Sequence, residues 1–152
     1  MKIFVTVGTT AFDDLILYLD NLDTENEIIF QISDEHKYIP VNHKYFTFTD
    51  DIEEYYNMSD VVITHSGAGS VYRLLELKKK IIIVPNMIRV DGHQMDLANF
   101  MKDNKFALVC TDIKELDQII KNFHSTEIEE YKFDRFFKQD EIIDIIKKAY
   151  NI

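Results

Sequence analysis

Short apolar, β-branched runs recur along the chain at residues 3–7, 27–32, 45–48, 61–64, 81–84 and 106–109, each of strand length. Between them the apolar positions take helical spacing. Leu15, Ile16 and Leu19 share one face within residues 13–21, and residues 52–58, 71–77, 97–104, 113–123 and 142–150 read as further helices. Thr10 with Asp13, and Asp112 with Glu115, have the three-residue spacing of helix N-terminal caps, and Asp50-Asp51 stands where an N-cap for the helix from Ile52 is expected. Runs such as Val61-Val62-Ile63 and Ile81-Ile82-Ile83-Val84 offer no polar face, so their sheet is covered on both sides. Strands and helices alternating in this way predict an α/β, doubly wound parallel sheet, Rossmann-like and a single domain over residues 1–152. The polar stretch 124–140 is expected to cross the surface before the last helix.

Composition narrows the function. A chain of 152 residues with 46% hydrophobic content suits one core. The formal charge of −10 argues against nucleic acid, whose backbone is bound through clustered Lys and Arg. The apolar run at residues 81–85 is far shorter than the roughly 20 residues that cross a bilayer, so no direct membrane span is expected. The first residues enter a strand pattern with no basic leader, which leads us to expect a cytoplasmic protein. Cys110 is the only cysteine, which excludes an internal disulfide and a Cys-based metal cluster. A small anionic ligand remains compatible with the charge if helix N-termini and backbone N–H groups hold it.

All four glycines, Gly8, Gly67, Gly69 and Gly92, follow predicted strands, at the edge where open α/β sheets bind ligands. The sharpest feature is His65-Ser66-Gly67-Ala68-Gly69-Ser70, between the strand at 61–64 and the helix expected from Val71. Two glycines allow close backbone approach, and the helix N-terminus directs N–H groups at an anion such as a diphosphate. The plainer reading is a strand-to-helix turn with Ser70 as N-cap. The first loop, Val7-Gly8-Thr9-Thr10, adds two hydroxyls near a helix start but lacks the further glycines of the dinucleotide fingerprint. Asp34, after the second strand, is read as a solvated turn residue. The loop at residues 86–94 is long and carries Arg89, Asp91, Gly92, His93 and Gln94; His93 and Gln94 suit sugar hydroxyls or, alternatively, cap the next helix.

With these loops in this order the chain resembles the donor domain of GT-B glycosyltransferases of the MurG type, half of a GT-B fold. It is more similar still to the soluble subunit of split UDP-sugar transferases, including the eukaryotic UDP-N-acetylglucosamine transferase subunit acting on dolichol-linked sugar and bacterial exopolysaccharide or capsule counterparts. The motifs that carry the resemblance are Phe4-Val5-Thr6-Val7-Gly8-Thr9-Thr10-Ala11-Phe12-Asp13-Asp14-Leu15-Ile16, Ser59-Asp60-Val61-Val62-Ile63-Thr64-His65-Ser66-Gly67-Ala68-Gly69-Ser70 and Asp91-Gly92-His93-Gln94. The resemblance implies a UDP-sugar donor whose diphosphate lies on Gly67, Ala68, Gly69 and Ser70, near Gly8 and Thr9. It implies uracil beside Phe48, Thr49 and Ile52, with His93 and Gln94 at the donor sugar. No metal and no cofactor is implied, and Asp50-Asp51 keeps its reading as a cap.

The sequence departs from the family where a glutamate usually grips the ribose hydroxyls: that position is Arg73. Three roles stay open. Glu76, nearly one turn on, substitutes for the glutamate; or Arg73 meets phosphate or an acidic donor sugar; or Arg73 pairs on the surface with Glu76 or Asp50. Transfer from a UDP-sugar builds charge on the departing diphosphate, which preorganised N–H donors stabilise. Inversion also requires a base at the acceptor hydroxyl, which the sequence does not supply; His65 lies on the donor side. We therefore expect a membrane-associated acceptor-binding partner, peripheral recruitment to the membrane through it, and a docking role for residues 141–150, where Ile142, Ile143, Ile145, Ile146 and Tyr150 exceed one narrow stripe. Two other classes are a non-catalytic nucleotide-binding scaffold of a glycosyltransferase complex and an unrelated oxidoreductase; the single Gly8 disfavours the second.

Overall fold

The computed structural model describes residues 1–87 and 93–132. Six strands, β1 (Lys2–Thr6), β2 (Glu27–Gln31), β3 (Lys44–Phe46), β4 (Val61–Thr64), β5 (Ile81–Ile83) and β6 (Leu108–Val109), form one sheet in the order β3-β2-β1-β4-β5-β6. Every pairing is parallel, with Thr6 opposite Gln31 on one side and Thr64 on the other. The helices are α1 (Asp13–Asp20), α2 (Ile52–Met58), α3 (Ala68–Glu76), α4 (His93–Asp103) and α5 (Leu116–Asn122).

The absence of a polar face in the strands has a direct structural counterpart. Ile3 and Val5 of β1 pack with Leu15, Ile16 and Leu19 of α1 and with Leu116 and Ile120 of α5, while Phe4 between them packs with Tyr56, Val71, Leu74, Ala98 and Met101 from α2, α3 and α4. β1, β2, β4 and β5 each alternate between two cores, so both of their faces must be apolar. The strand order reverses direction between β1 and β4, which is the crevice where doubly wound sheets take ligands.

Several boundaries move. Thr47 and Phe48 leave β3, and Phe48 is 75% exposed. β6 is only two residues, with Phe106 in the preceding turn, where it packs edge-on to Tyr131. α3 begins at Ala68 rather than Val71, so Ser70 is a first-turn residue and Gly67, not Ser70, is the N-cap. α4 begins at His93, four residues before the apolar pattern starts at Leu97, because a first turn has no need of an apolar stripe. The expected helix over 113–123 is a 3-10 turn (Ile113–Glu115) running into α5, with Asp112 accepting from Lys114 N at 3.0 Å. Thr10 and Asp13 do not form a cap. The N-cap of α1 is Phe12, and the Asp13 carboxylate instead accepts from Lys37 N and Tyr38 N, both at 2.9 Å. Asp51 does cap α2, accepting from Glu54 N at 3.2 Å.

Residues after α5 return across the face of α3 and α4, where Glu129 N donates to Lys105 O and Tyr131 lies against Tyr72. Arg89, Asp91, Gly92 and the expected helix at 142–150 lie outside the described residues. Among the described residues, no helix is long and apolar enough to cross a membrane.

Candidate functional site

β4 delivers the chain to His65, and Gly67 turns it into α3. Gly67 has an ordinary φ of −83°, so its role is not conformational. A Cβ there would stand 2.3 Å from His65 Nε2 and 2.9 Å from Cε1. Gly8, in the left-handed region at φ +63°, faces the same ring, 3.0 Å from Cε1 to its would-be Cβ. The imidazole of His65 therefore occupies the space between the first loop and the glycine loop, and both glycines exist partly to admit it. Gly69 differs: a Cβ there meets nothing within 4 Å.

Hydrogen bonds hold the surrounding loops to this centre. Ser66 Oγ donates to Gln94 O at 2.6 Å, and Gln94 Oε1 accepts from Asn86 N at 3.0 Å. Asn86 Nδ2 donates to Ala11 O at 3.1 Å, and Ser33 Oγ to Thr9 O at 2.8 Å. Gln94 is thus buried, its amide oxygen spent on the backbone that precedes α4. That bond gives Gln94 a structural duty in addition to the sugar contact implied by resemblance.

Two hollows open at the C-terminal edge of the sheet beside the N-terminus of α3. The first, about 440 Å³, gathers Gly8, Thr9, Phe48, Thr49, Ile52 and Ser70, together with Thr6, Gln31, Asp34, Glu35 and Thr47. The second, about 360 Å³, gathers His65, Ser66, Gly67, Ala68, His93 and Gln94 with Tyr72 and Leu97. Thr10, Gly69, Arg73 and Glu76 line neither. Asp34 is exposed in the turn after β2, as read from the sequence, and from there it also lines the first hollow. A larger hollow of about 970 Å³ lies beyond the first loop, against Phe12, Leu17, Pro85 and Met87. It contains none of the residues that the sequence assigns to the ligand, and the two helix starts that line it are acidic: α1, whose first turn carries Asp13 and Asp14, and the 3-10 turn capped by Asp112. Volume alone does not make it the anion site.

The N-terminus of α3 presents the N–H groups of its first turn, which no carbonyl of the same helix can reach. Its first turn contains no acidic residue, so the positive end of the helix is not neutralised from within. Arg73 is engaged elsewhere. It donates to Glu53 of α2 and, at 2.5 Å, to Glu76, and these carboxylates, Glu53 foremost, raise the guanidinium pKa further. Of the three open roles, surface pairing is the one the structure contains, with Glu53 in place of Asp50.

Sequence reasoning did not single out Thr6, Gln31, Thr47 or Glu35. A signal existed for two of them: Thr6 and Gln31 are polar residues that close β1 and β2 directly after three apolar positions, and both are buried.

The model of the glycosyltransferase family 28 C-terminal domain matches residues 2–132. The human UDP-N-acetylglucosamine transferase subunit ALG13 is 33% identical over 124 residues, covering 72% of this chain and 11% of that protein. The Yarrowia lipolytica subunit of the same name is 26% identical over 129 residues, 74% of this chain and 66% of its own. This chain thus spans about a tenth of the mammalian relatives it matches. Among solved structures, an NMR structure of ALG13 aligns with TM-score 0.60 at 18% identity over 93% of this chain and 94% of that one. MurG of Acinetobacter baumannii aligns with TM-score 0.60 at 21% identity over 80% of this chain and 40% of that one, so the fold is that of one half of a GT-B enzyme. With a sheet, a glycine loop and a family match that together span all but the first of the described residues, the chain belongs to the glycosyltransferase family 28 C-terminal domain family.

Proposed function

We propose that the chain is the UDP-sugar-binding subunit of an inverting hexosyl or N-acetylhexosaminyl transferase acting on a lipid-linked acceptor in glycan or polysaccharide biosynthesis, exopolysaccharide and capsule included. The observation that carries this reading is the convergence of Gly8, Thr9, Phe48, Thr49, Ile52 and Ser70 on one hollow beside the N-terminus of α3. A base-sized wall of Phe48, Thr49 and Ile52 stands on one side and helix N–H donors on the other, an arrangement that suits a pyrimidine nucleoside diphosphate. Charge that builds on the leaving diphosphate is met by dipoles already in place. The donor sugar falls toward His65, His93 and Gln94 in the adjoining hollow. A membrane-associated partner subunit brings acceptor and base, so the chain is cytoplasmic and reaches the membrane through that partner. The names of the relatives, subunits of a UDP-N-acetylglucosamine transferase, support the division of labour.

The test is a titration with UDP, UDP-sugars and NAD, repeated with excess chelator. UDP is expected to bind, chelator to change nothing, and NAD to fail. Ser70→Asp separates folding from binding: a carboxylate in the first turn of α3 stabilises the helix by about 0.3–1 kcal/mol yet repels a diphosphate. Tight UDP binding by that folded variant would refute the placement of the phosphates. Deleting residues after Asp140 is expected to leave UDP binding intact and abolish capture of the partner; transfer to a lipid-linked acceptor by this chain alone would refute the split arrangement.

A further inference from the structure

Gln31 closes β2 at the point where three loops meet, and its side chain is buried among them. Its Oε1 accepts from Thr6 Oγ1 at 2.6 Å and from Gly8 N at 3.0 Å. Its Nε2 donates to Gly8 O at 3.1 Å, Ile32 O at 2.9 Å and Thr47 O at 3.2 Å. The amide thus pairs with both backbone groups of Gly8, which fixes the orientation of a residue held at φ +63°. The same amide reaches the backbone immediately before Phe48 and Thr49. One side chain ties together the two walls of the hollow assigned to the nucleotide: the first loop on the phosphate side and the loop after β3 on the base side.

We infer that Gln31 is the positioning residue of the donor site, setting the distance between the base wall and the diphosphate wall so that one ligand engages both. The inference rests on the reading of the hollow as a UDP site. An amide is required because its two ends face opposite partners, N–H and O–H donors on the Oε1 side and carbonyls on the Nε2 side. A carboxylate of the same shape would set an oxygen against Gly8 O and Thr47 O and leave those carbonyls without their donor. Gly8 N, which can only donate, fixes which end of the amide turns toward β1, and the Thr6 hydroxyl adds a second donor to that end. A ligand that spans both walls depends on their spacing, whereas a ligand that touches one wall does not.

The test compares UDP with uridine on the full chain, unaltered and as Gln31→Glu and Thr6→Val, with folding checked by circular dichroism and melting temperature. Gln31→Glu is expected to weaken UDP about 10- to 100-fold, the effect of one or two lost buried hydrogen bonds, while uridine changes by no more than about threefold. Thr6→Val keeps a β-branched residue in β1 and is expected to show the same UDP-selective loss at a smaller size, which keeps the inference exposed if Gln31→Glu does not fold. Equal loss of UDP and uridine would reduce Gln31 to a structural residue and overturn the inference. Unchanged UDP affinity in folded Gln31→Glu or in Thr6→Val would do the same. Failure of the unaltered chain to bind UDP would overturn the UDP reading, and this inference with it; binding by the unaltered chain with no selective loss in the variants would overturn the inference alone.

Discussion

Gly67 and Gly69 belong to one motif but are glycine for different reasons, and alanine at each separates them. At Gly67 a methyl group would lie 2.3 Å from His65 Nε2, so the ring must move; it faces Gly8 as well and has little room to do so. Overpacking of that kind costs about 1–3 kcal/mol. Gly67 is also the N-cap of α3, where alanine is inferior to glycine by about 0.5–1 kcal/mol. At Gly69, inside the first turn and facing open space, alanine relieves backbone entropy and gains about 0.5–1 kcal/mol. The two single-methyl variants are therefore expected to differ by about 3 kcal/mol, close to two decades in the unfolding constant. Urea denaturation at constant m measures this directly. Adding His65→Ala should restore about 1–2 kcal/mol to Gly67→Ala, a coupling a double-mutant cycle isolates. Equal stability of the two alanine variants, or no coupling between positions 65 and 67, would refute the argument that the imidazole fills the space between the loops.

Asp20 is buried at the end of α1 and accepts from Tyr38 OH, Val41 N, Asn42 N and His43 Nδ1. Burial raises its pKa, but these bonds, from Val41 N first, outweigh burial and hold the carboxyl below its ordinary value. Asp20→Ala is expected to cost about 3 kcal/mol at neutral pH. Because the folded pKa is the lower one, that contribution is complete above the unfolded value of about 3.9 and disappears as pH falls further; denaturation at pH 6 and pH 3 should show the difference between wild type and variant shrinking. The Cys110 thiol, pushed up to about 11 chiefly by burial, is expected to react with a thiol reagent at pH 8 only through opening of the chain, so the rate at fixed reagent should rise with denaturant. Arg73→Ala removes surface pairs to Glu53 and Glu76 that solvent screens, and is expected to leave the denaturation midpoint nearly unchanged. It should leave UDP affinity unchanged, and a marked loss measured by titration would restore Arg73 to the site.

The sheet was legible because burial on both faces leaves an unmistakable signature. Phe4 and Val5 point into different cores, yet both are apolar, and no solvent-facing position interrupts the run. Helix starts were less legible. The apolar stripe of α3 begins at Val71 and that of α4 near Leu97, but each helix starts three or four residues earlier, where first-turn residues face the ligand edge and are chosen for other reasons. Thr10 and Asp13 had the spacing of a cap, but the spacing does not encode that the loop after β2 passes close enough for Lys37 N and Tyr38 N to take the carboxylate.

The same limit explains the site. Motif residues could be read because each sits in a loop whose local sequence is unusual: glycines beside hydroxyls after a strand. The partners of Gln31 and the Glu53 partner of Arg73 could not, since those contacts span 23 and 20 residues of chain, whereas the Glu76 partner, three residues on, was read. What the fold adds is a common centre. The first loop and the glycine loop are distant in sequence, but their strands β1 and β4 are adjacent where the sheet changes direction, and so both loops meet the ring of His65. The third loop joins through Ser66 and Gln94, and the loop after β3 through Gln31 and Thr47. A site assembled in this way has its precision in backbone atoms held by a few buried polar side chains, which is the form preorganised donors need if they are to meet developing charge without rearranging.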